Sequence, residues 1–205
     1  CEPSGKLNSR KSKGYVRDVF QQNHMSNLEG NLGIGHVRYP TAGGIGKEFA
    51  QPMYVNTPYG ISIAHNGNLT NSKKLAAELF HAERRHINTD SDSEVLLNIF
   101  ALELSKQEAV FPKPKDFFSA VQKTHLRING AYAVVALITG YGILAFRDPL
   151  GIRPLTIGVR KGKNRNEYIV SSETALFAAT GFKVLRDVEP GEAVFIDNSG
   201  KIFTE

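Results

Sequence analysis

Cysteine is nearly absent from this chain of 205 residues: it has one, Cys1. Neither an internal disulfide nor a cysteine-based metal cluster can form within it, which fits a reducing, intracellular compartment, the cytoplasm. Long hydrophobic runs are lacking too. The longest, Ala131 to Phe146, is interrupted by Thr139, Gly140 and Gly142. It falls short of a membrane span and reads as two strands and a turn. No basic stretch followed by an apolar core opens the chain, so a signal peptide is excluded, and the absence of a starting Met marks a processed chain or a fragment. His36, His65 and His86 do not have metal-ligand spacing and no His-Glu-x-x-His is present, so no metal site is expected. They read as structural, His65 fixing a local turn. A Gly-x-Ser-x-Gly elbow, a Walker loop and a complete Gly-x-Gly-x-x-Gly are also absent; Gly33-x-Gly35 lacks the third glycine and the helix.

Positive charge is in modest excess, +5 with a pI near 9.3. It gathers at Arg10-Lys11-Lys13, Arg84-Arg85 and Arg160-Lys161-Lys163-Arg165. Aromatic residues are not interleaved with these clusters as a base-stacking surface would need, so they read as solvated loops and hairpin tips, with no nucleic-acid partner.

What is present suffices for one domain: 41% of the residues are hydrophobic. Residues 1 to 14 read as a turn with ragged edge strands, 15 to 20 as a short helix or strand, and Gly33 to Tyr39 as a strand ending in the flexible Pro40-Thr41-Ala42-Gly43-Gly44. Gln51–Tyr54 and Ile61–Ala64 flank Thr57-Pro58-Tyr59-Gly60 as a hairpin. A helix capped by Thr70 or Asn71 follows, with Leu75, Ala76, Leu79 and Phe80 inward. A second opens on a Ser91…Glu94 capping box with Val95, Leu96, Ile99, Phe100 and Leu104 as its apolar face. A third spans about 115 to 128, with Phe117, Phe118, Val121 and Leu126 inward and Asn129-Gly130 as its stop. Strands are then predicted at 131–138, 142–147, 154–160 and 167–171, a short helix at 172–179, and strands at 192–196 and 201–203. Two sets of strands with helices outside make an α+β fold of two packed sheets.

The stretch Ile61–Leu69 alternates apolar and polar residues and breaks at Asn66-Gly67. An amide side chain and an unhindered backbone N–H at one point can hold a developing oxyanion; the same dipeptide is also the commonest two-residue hairpin turn. Two further polar clusters stand at element ends, Arg38-Tyr39-Pro40-Thr41 and Asn88 to Glu94. Together the three can read a small amino acid: an Arg grips an α-carboxylate bidentately, an Asp pairs with an α-ammonium, and Asn-Gly holds a reacting carbonyl oxygen. Taken singly, Arg38 is equally an ordinary ion pair and Asp92 an ordinary cap.

Four motifs in order then carry a resemblance: Gly35-His36-Val37-Arg38-Tyr39-Pro40-Thr41-Ala42-Gly43, Ala64-His65-Asn66-Gly67-Asn68-Leu69, Ile87-Asn88-Thr89-Asp90-Ser91-Asp92-Ser93-Glu94, and Phe146-Arg147-Asp148-Pro149-Leu150-Gly151-Ile152-Arg153-Pro154-Leu155. The chain resembles, over essentially its whole length, the glutaminase domain of the amidophosphoribosyltransferase family, glycosyltransferases that open purine synthesis by making phosphoribosylamine. His-Asn-Gly-Asn marks class II glutamine amidotransferases in general; the first and last motifs point to this branch over glucosamine-phosphate synthase, the nearest alternative. The resemblance implies a four-layer αββα sandwich of the N-terminal-nucleophile hydrolase type, here without its first elements, and glutamine as substrate. Asn66 and Gly67 would form the oxyanion hole, Arg38 and Asp92 would hold glutamine's carboxylate and amino groups, Thr41 would lie in the glutamine-contacting loop, and Tyr39 matches a mobile position.

Cys1 departs from the pattern. The family's nucleophile starts a buried strand, whereas Glu2-Pro3-Ser4-Gly5-Lys6 cannot form one, so the attacking Cys is expected upstream and the chain is expected to be inactive by itself. The C-terminal phosphoribosyltransferase domain, with its expected Mg2+, lies outside residues 1–205. This glutaminase domain itself needs no cofactor, and a homo-oligomer is expected. A catalytically dead glutamine- or partner-binding module is the reading from another class.

Overall fold

The structure, a computed structural model, describes residues 1–38 and 46–205. Its N-terminal part is thinly structured because it has little to bury. The first fourteen residues form a turn closed by Glu2 N–H on the Lys6 carbonyl at 3.0 Å, and the edge strands expected there do not form. Residues 15 to 20 resolve as a helix, α1 (Val16–Val19), followed by α2 (Gln22–Ser26). The segment expected as a strand from Gly33 forms no ladder through Arg38 and belongs to neither sheet. A strand is defined by its ladder partner, and around Gly33 and Gly35 there is open space where a side chain would project.

From residue 53 the chain follows its hydrophobic pattern. Strands β1 (Met53–Val55) and β2 (Ile61–Leu69) form the expected hairpin. β2 does not turn at Asn66-Gly67. It runs on to Leu69, paired residue for residue with a later strand, Gly67 opposite Tyr132. Gly67 is required there by proximity: a Cβ would sit 2.0 Å from the Ala131 carbonyl oxygen, with φ at +150°. Thr70 and Asn71 then make the real exit into α3 (Ser72–His81). Asn71 stands at the cap position, but its amide ties down another connection, accepting from Asn129 N–H at 3.0 Å and donating to the Arg127 carbonyl at 2.8 Å. Leu75 and Leu79 point inward, whereas Phe80, expected inward, is exposed.

In α4 (Asp92–Ser105) the Ser91 hydroxyl makes no capping bond; Glu94 closes instead on Asn88 N–H and Thr89 N–H, each at 2.8 Å. Every residue from Val95 to Leu104 is buried, so α4 has no solvent face, as befits a helix lying between the sheet and the helices that flank it. α5 (Pro114–Arg127) starts on Pro at its first turn and buries Phe117, Phe118 and Val121. Leu126, expected inward, is 83% exposed, because Thr124 takes the inward place in the last turn.

The remaining elements are β3 (Gly130–Ile138), β4 (Gly142–Arg147), β5 (Thr156–Lys161), β6 (Asn166–Ser171), α6 (Ala175–Ala179), β7 (Lys183–Asp187), β8 (Ala193–Asp197) and β9 (Ile202–Thr204). β7 carries consecutive exposed Val184 and Leu185, so no alternation announces it. One sheet has the order β1-β2-β3-β4-β8-β9 and the other β6-β5-β7, antiparallel throughout. Leu96, Phe100, Phe117, Leu144 and Phe146 pack the helices on the large sheet. Ala133, Ala145, Val194, Leu155, Ile157 and Val188 fill the space between the sheets. On the far side Phe177 of α6 rests on β5, where a Cβ at Gly158 would meet its ring at 2.8 Å. The result is the four-layer αββα arrangement.

These burials separate two leucines of equal chemistry. Leu97→Ala should cost about 2–5 kcal/mol by urea denaturation, whereas Leu126→Ala should stay within about 0.5 kcal/mol of the parent. Equal losses would contradict the helix orientations.

Candidate active site

β1 ends its pairing at Met53 opposite Ile63, so β2 runs on past the end of its neighbour. Side chains take over this outer edge. Gln51 accepts from His65 N–H at 2.6 Å and donates to the His65 carbonyl at 3.1 Å, standing in for a strand residue. Two pairs further on, Asp92 Oδ2 accepts Leu69 N–H at 2.9 Å. The alternation of a strand puts Gly67 N–H on this same edge, between those two. Asp92 is the first residue of α4, so the helix start and the strand edge are bolted together at this point.

His65 is buried, its Nδ1 3.1 Å from Ser93 Oγ and 3.9 Å from Asp92 Oδ1. Burial pushes its pKa down to about 4, outweighing the attraction of Asp92, and nearby His36 and Arg153 act in the same downward direction. At neutral pH the imidazole is uncharged, so its contact with Asp92 is polar rather than ionic.

Asn66 is held by a residue of the connection between β4 and β5. Arg153 Nη2 donates to Asn66 Oδ1 at 2.6 Å. Arg153 ends a turn built on Asp148, a fully buried carboxylate that accepts N–H bonds from Leu150 at 3.1 Å, Ile152 at 3.0 Å, Arg153 at 3.0 Å and Tyr132 at 3.3 Å. Burial alone would raise the pKa of this carboxyl, but the four backbone bonds together hold it below the usual value. Arg147 braces the same turn through the carbonyls of Arg153, Gly151 and Val188 at 2.6, 2.6 and 2.7 Å.

The structure thus sets Asp92 and Ser93 against the strand that carries Asn66 and Gly67, and adds Gln51 and Arg153, which sequence reasoning had not singled out. His65, expected to fix a turn, fixes a strand edge instead. Arg38 stacks its guanidinium 5.6 Å from the Phe49 ring centroid. Its charge acts on His36, whose pKa is lowered first by burial and then by Arg38. Tyr39 and Thr41 lie outside the described residues. Cys1 is docked elsewhere: its amine donates to the Leu32 carbonyl at 2.6 Å and its carbonyl accepts Asn31 N–H at 3.0 Å. Between the sheets, a cavity of about 90 Å³ is lined by His36, Asn66, Ala133, Val135, Leu155 and Ser171. A larger groove of about 510 Å³ runs past Lys106 and Lys123. It lies at the end of α4 opposite Asp92, away from these groups. Among the described residues no cluster of His, Cys, Asp or Glu could hold a metal ion, and no helix is long and apolar enough to cross a membrane.

The family signature described as "Glutamine amidotransferase domain" matches residues 45–179. The chain therefore belongs to the glutamine amidotransferase family, and its fold is that of an N-terminal-nucleophile hydrolase. Amidophosphoribosyltransferases are among its curated relatives: it is 55% identical to that of Pseudomonas aeruginosa over 97% of its own length and 40% of that protein's. Against the Escherichia coli amidophosphoribosyltransferase the figures are 55%, 95% and 39%. A solved B. subtilis glutamine phosphoribosylpyrophosphate amidotransferase, complexed with ADP and GMP, superposes with a TM-score of 0.78 at 32% identity, covering 98% of this chain and 40% of that one. The chain thus spans about two fifths of the length of the relatives it matches.

Because the folded pKa of His65 lies below its unfolded value of 6.5, the stability its neutral form provides is whole above that pH and is lost as pH falls toward about 4. The loss should reach about 3 kcal/mol. The His65 ring resonance should titrate with a midpoint near 4 by NMR. A midpoint near 6.5 would mean a solvated imidazole and remove the argument.

Proposed function

We propose that this chain is the glutamine-hydrolysing domain of an amidophosphoribosyltransferase, supplying ammonia for phosphoribosylamine formation from phosphoribosyl pyrophosphate in the cytoplasm. The observation that carries the reading is that Asn66, its amide oxygen taken by Arg153, and Gly67 follow one another on β2, whose outer edge Asp92 grips two residues further on at Leu69 N–H. Asp92 takes glutamine's α-ammonium, and Arg38 takes its α-carboxylate as a bidentate fork. Tyr39 and Thr41 complete the glutamine-contacting loop.

A cysteine thiolate, its proton passed to its own α-amino group, attacks the side-chain amide carbon. The carbonyl electrons move onto oxygen, where Asn66 Nδ2 and Gly67 N–H stabilise the oxyanion. Collapse expels ammonia, and water then cleaves the thioester to glutamate. Cys1 is not this thiol: its amine is committed to the Leu32 carbonyl, and its partners lie within residues 2–32. The phosphoribosyltransferase portion of the protein, with its Mg2+, is the partner that consumes the ammonia, and the whole works as a homo-oligomer.

In the full-length protein Asn66→Ala should lower glutaminase kcat by about 100-fold, the usual effect of removing one oxyanion donor. Arg38→Lys should instead raise the glutamine KM about tenfold with little change in kcat, because a point charge does not replace a bidentate fork. An unchanged KM would remove Arg38 from the carboxylate role. A thiol-directed electrophilic glutamine analogue should leave the 205-residue chain unmodified by intact mass. A stoichiometric adduct on Cys1 would reinstate it as the nucleophile.

A further inference from the structure

Asn66 has two chemically different ends on its amide, and only the nitrogen end can donate to an oxyanion. An amide free to flip would present its oxygen part of the time, placing a lone pair where negative charge has to develop. The contact from Arg153 removes that choice. A guanidinium has five N–H donors and no acceptor, so the atom it meets at 2.6 Å has to be Oδ1, and the NH2 group faces away from Arg153. The bond is charge-assisted, and by drawing electron density toward Oδ1 it makes the Nδ2–H groups better donors.

We infer that Arg153 is a positioning residue for the oxyanion hole: it locks the Asn66 amide in the donating orientation and strengthens it as a donor. This rests on the reading of Asn66 given above. The placement of Arg153 is not casual. Its backbone N–H is held by Asp148 and its carbonyl by Arg147, so the residue is fixed at both ends of its peptide unit before its side chain reaches across 87 residues of sequence to Asn66. Its Nε is buried and has no hydrogen-bond partner among the described residues. Arg153 does not touch the reacting atoms; its effect passes entirely through Asn66.

The test uses the full-length protein with Arg153→Met, which keeps the length and apolar stem of the side chain and removes its donors and charge. Glutaminase kcat should fall by about 10-fold or more, while the glutamine KM and the inhibition constant of the product glutamate, which report ground-state binding, should change by less than about 2-fold. The double variant with Asn66→Ala should be no slower than Asn66→Ala alone, since Arg153 has nothing left to orient. Arg153→Lys, which restores one donor, should recover part of the loss and carries the same comparison if the Met variant melts early. Equal weakening of glutamate binding and kcat, or losses that multiply in the double variant, would reduce Arg153 to a structural role. If Asn66→Ala is slow but Arg153→Met is not, the inference falls and the oxyanion reading stands. If Asn66→Ala itself retains full turnover, the oxyanion reading falls and this inference falls with it.

Discussion

Asp148 is fully buried, and a carboxylate removed from water is costly unless its lone pairs are filled. Four backbone N–H groups fill them, three from the turn that follows it and one from Tyr132 on β3. That single side chain therefore fixes the path of residues 148–153 against the middle of the large sheet. Arg147, its neighbour, points the other way and gathers three carbonyls of the same region. The turn's N–H donors go to the carboxylate and its carbonyl acceptors to the guanidinium, so a turn that would otherwise strand its peptide groups beside a buried charge is satisfied on both counts. Arg153 inherits its place from this frame, and Asn66 inherits its orientation from Arg153.

The other half of the site depends on where β1 stops. A strand that outruns its neighbour exposes a row of N–H and C=O groups, normally a liability. Here alternate groups on that edge are taken by Gln51 and Asp92, which mimic a partner strand at 65 and 69 and leave position 67 between them. The helix α4 is buried nearly all round and cannot shift without opening the core, so Asp92 at its first turn is held as firmly as the strand it grips. Rigid elements bear the polar groups, the condition for electrostatic preorganisation.

Much of this was legible in the sequence and some could not have been. The alternation of Ile61 to Ala64 and of Ala131 to Ile138 located β2 and β3, but Asn66-Gly67 carried a turn signal as strong as any. The ladder with Ala131–Ala133 overrode it: Gly67 is glycine because another backbone lies against it, and its ladder partner Tyr132 comes 65 positions later. Leu126 and Phe80 were misplaced because periodicity identifies a face, whereas the element packed against it decides where the face ends. The segment 33–38 has the composition of a strand and no ladder partner among the described residues. Arg153 stood in plain view within Phe146–Leu155, but no local spacing could tie it to Asn66, since the tie exists only once the β4–β5 connection is folded onto β2.

Arg38 and Arg153 could each, from chemistry alone, receive a carboxylate, and their settings divide the work. Arg153 is anchored through its backbone and spends Nη2 on an amide oxygen at 2.6 Å, so binding an anion there would cost the site its best-ordered donor contact. Arg38 sits two residues beyond His36 with its guanidinium carbon over the Phe49 ring, and its charge lowers the pKa of His36. Asp92 completes the polarity. With His65 held neutral, the negative charge of Asp92 is not cancelled by that ring, and in the proposed reading the ligand brings an ammonium to Asp92, a carboxylate to Arg38 and a polarisable carbonyl to Asn66 and Gly67. That is the charge pattern of an amino acid presenting its side-chain amide, and it follows from which groups are paired inside the fold as much as from which groups line it.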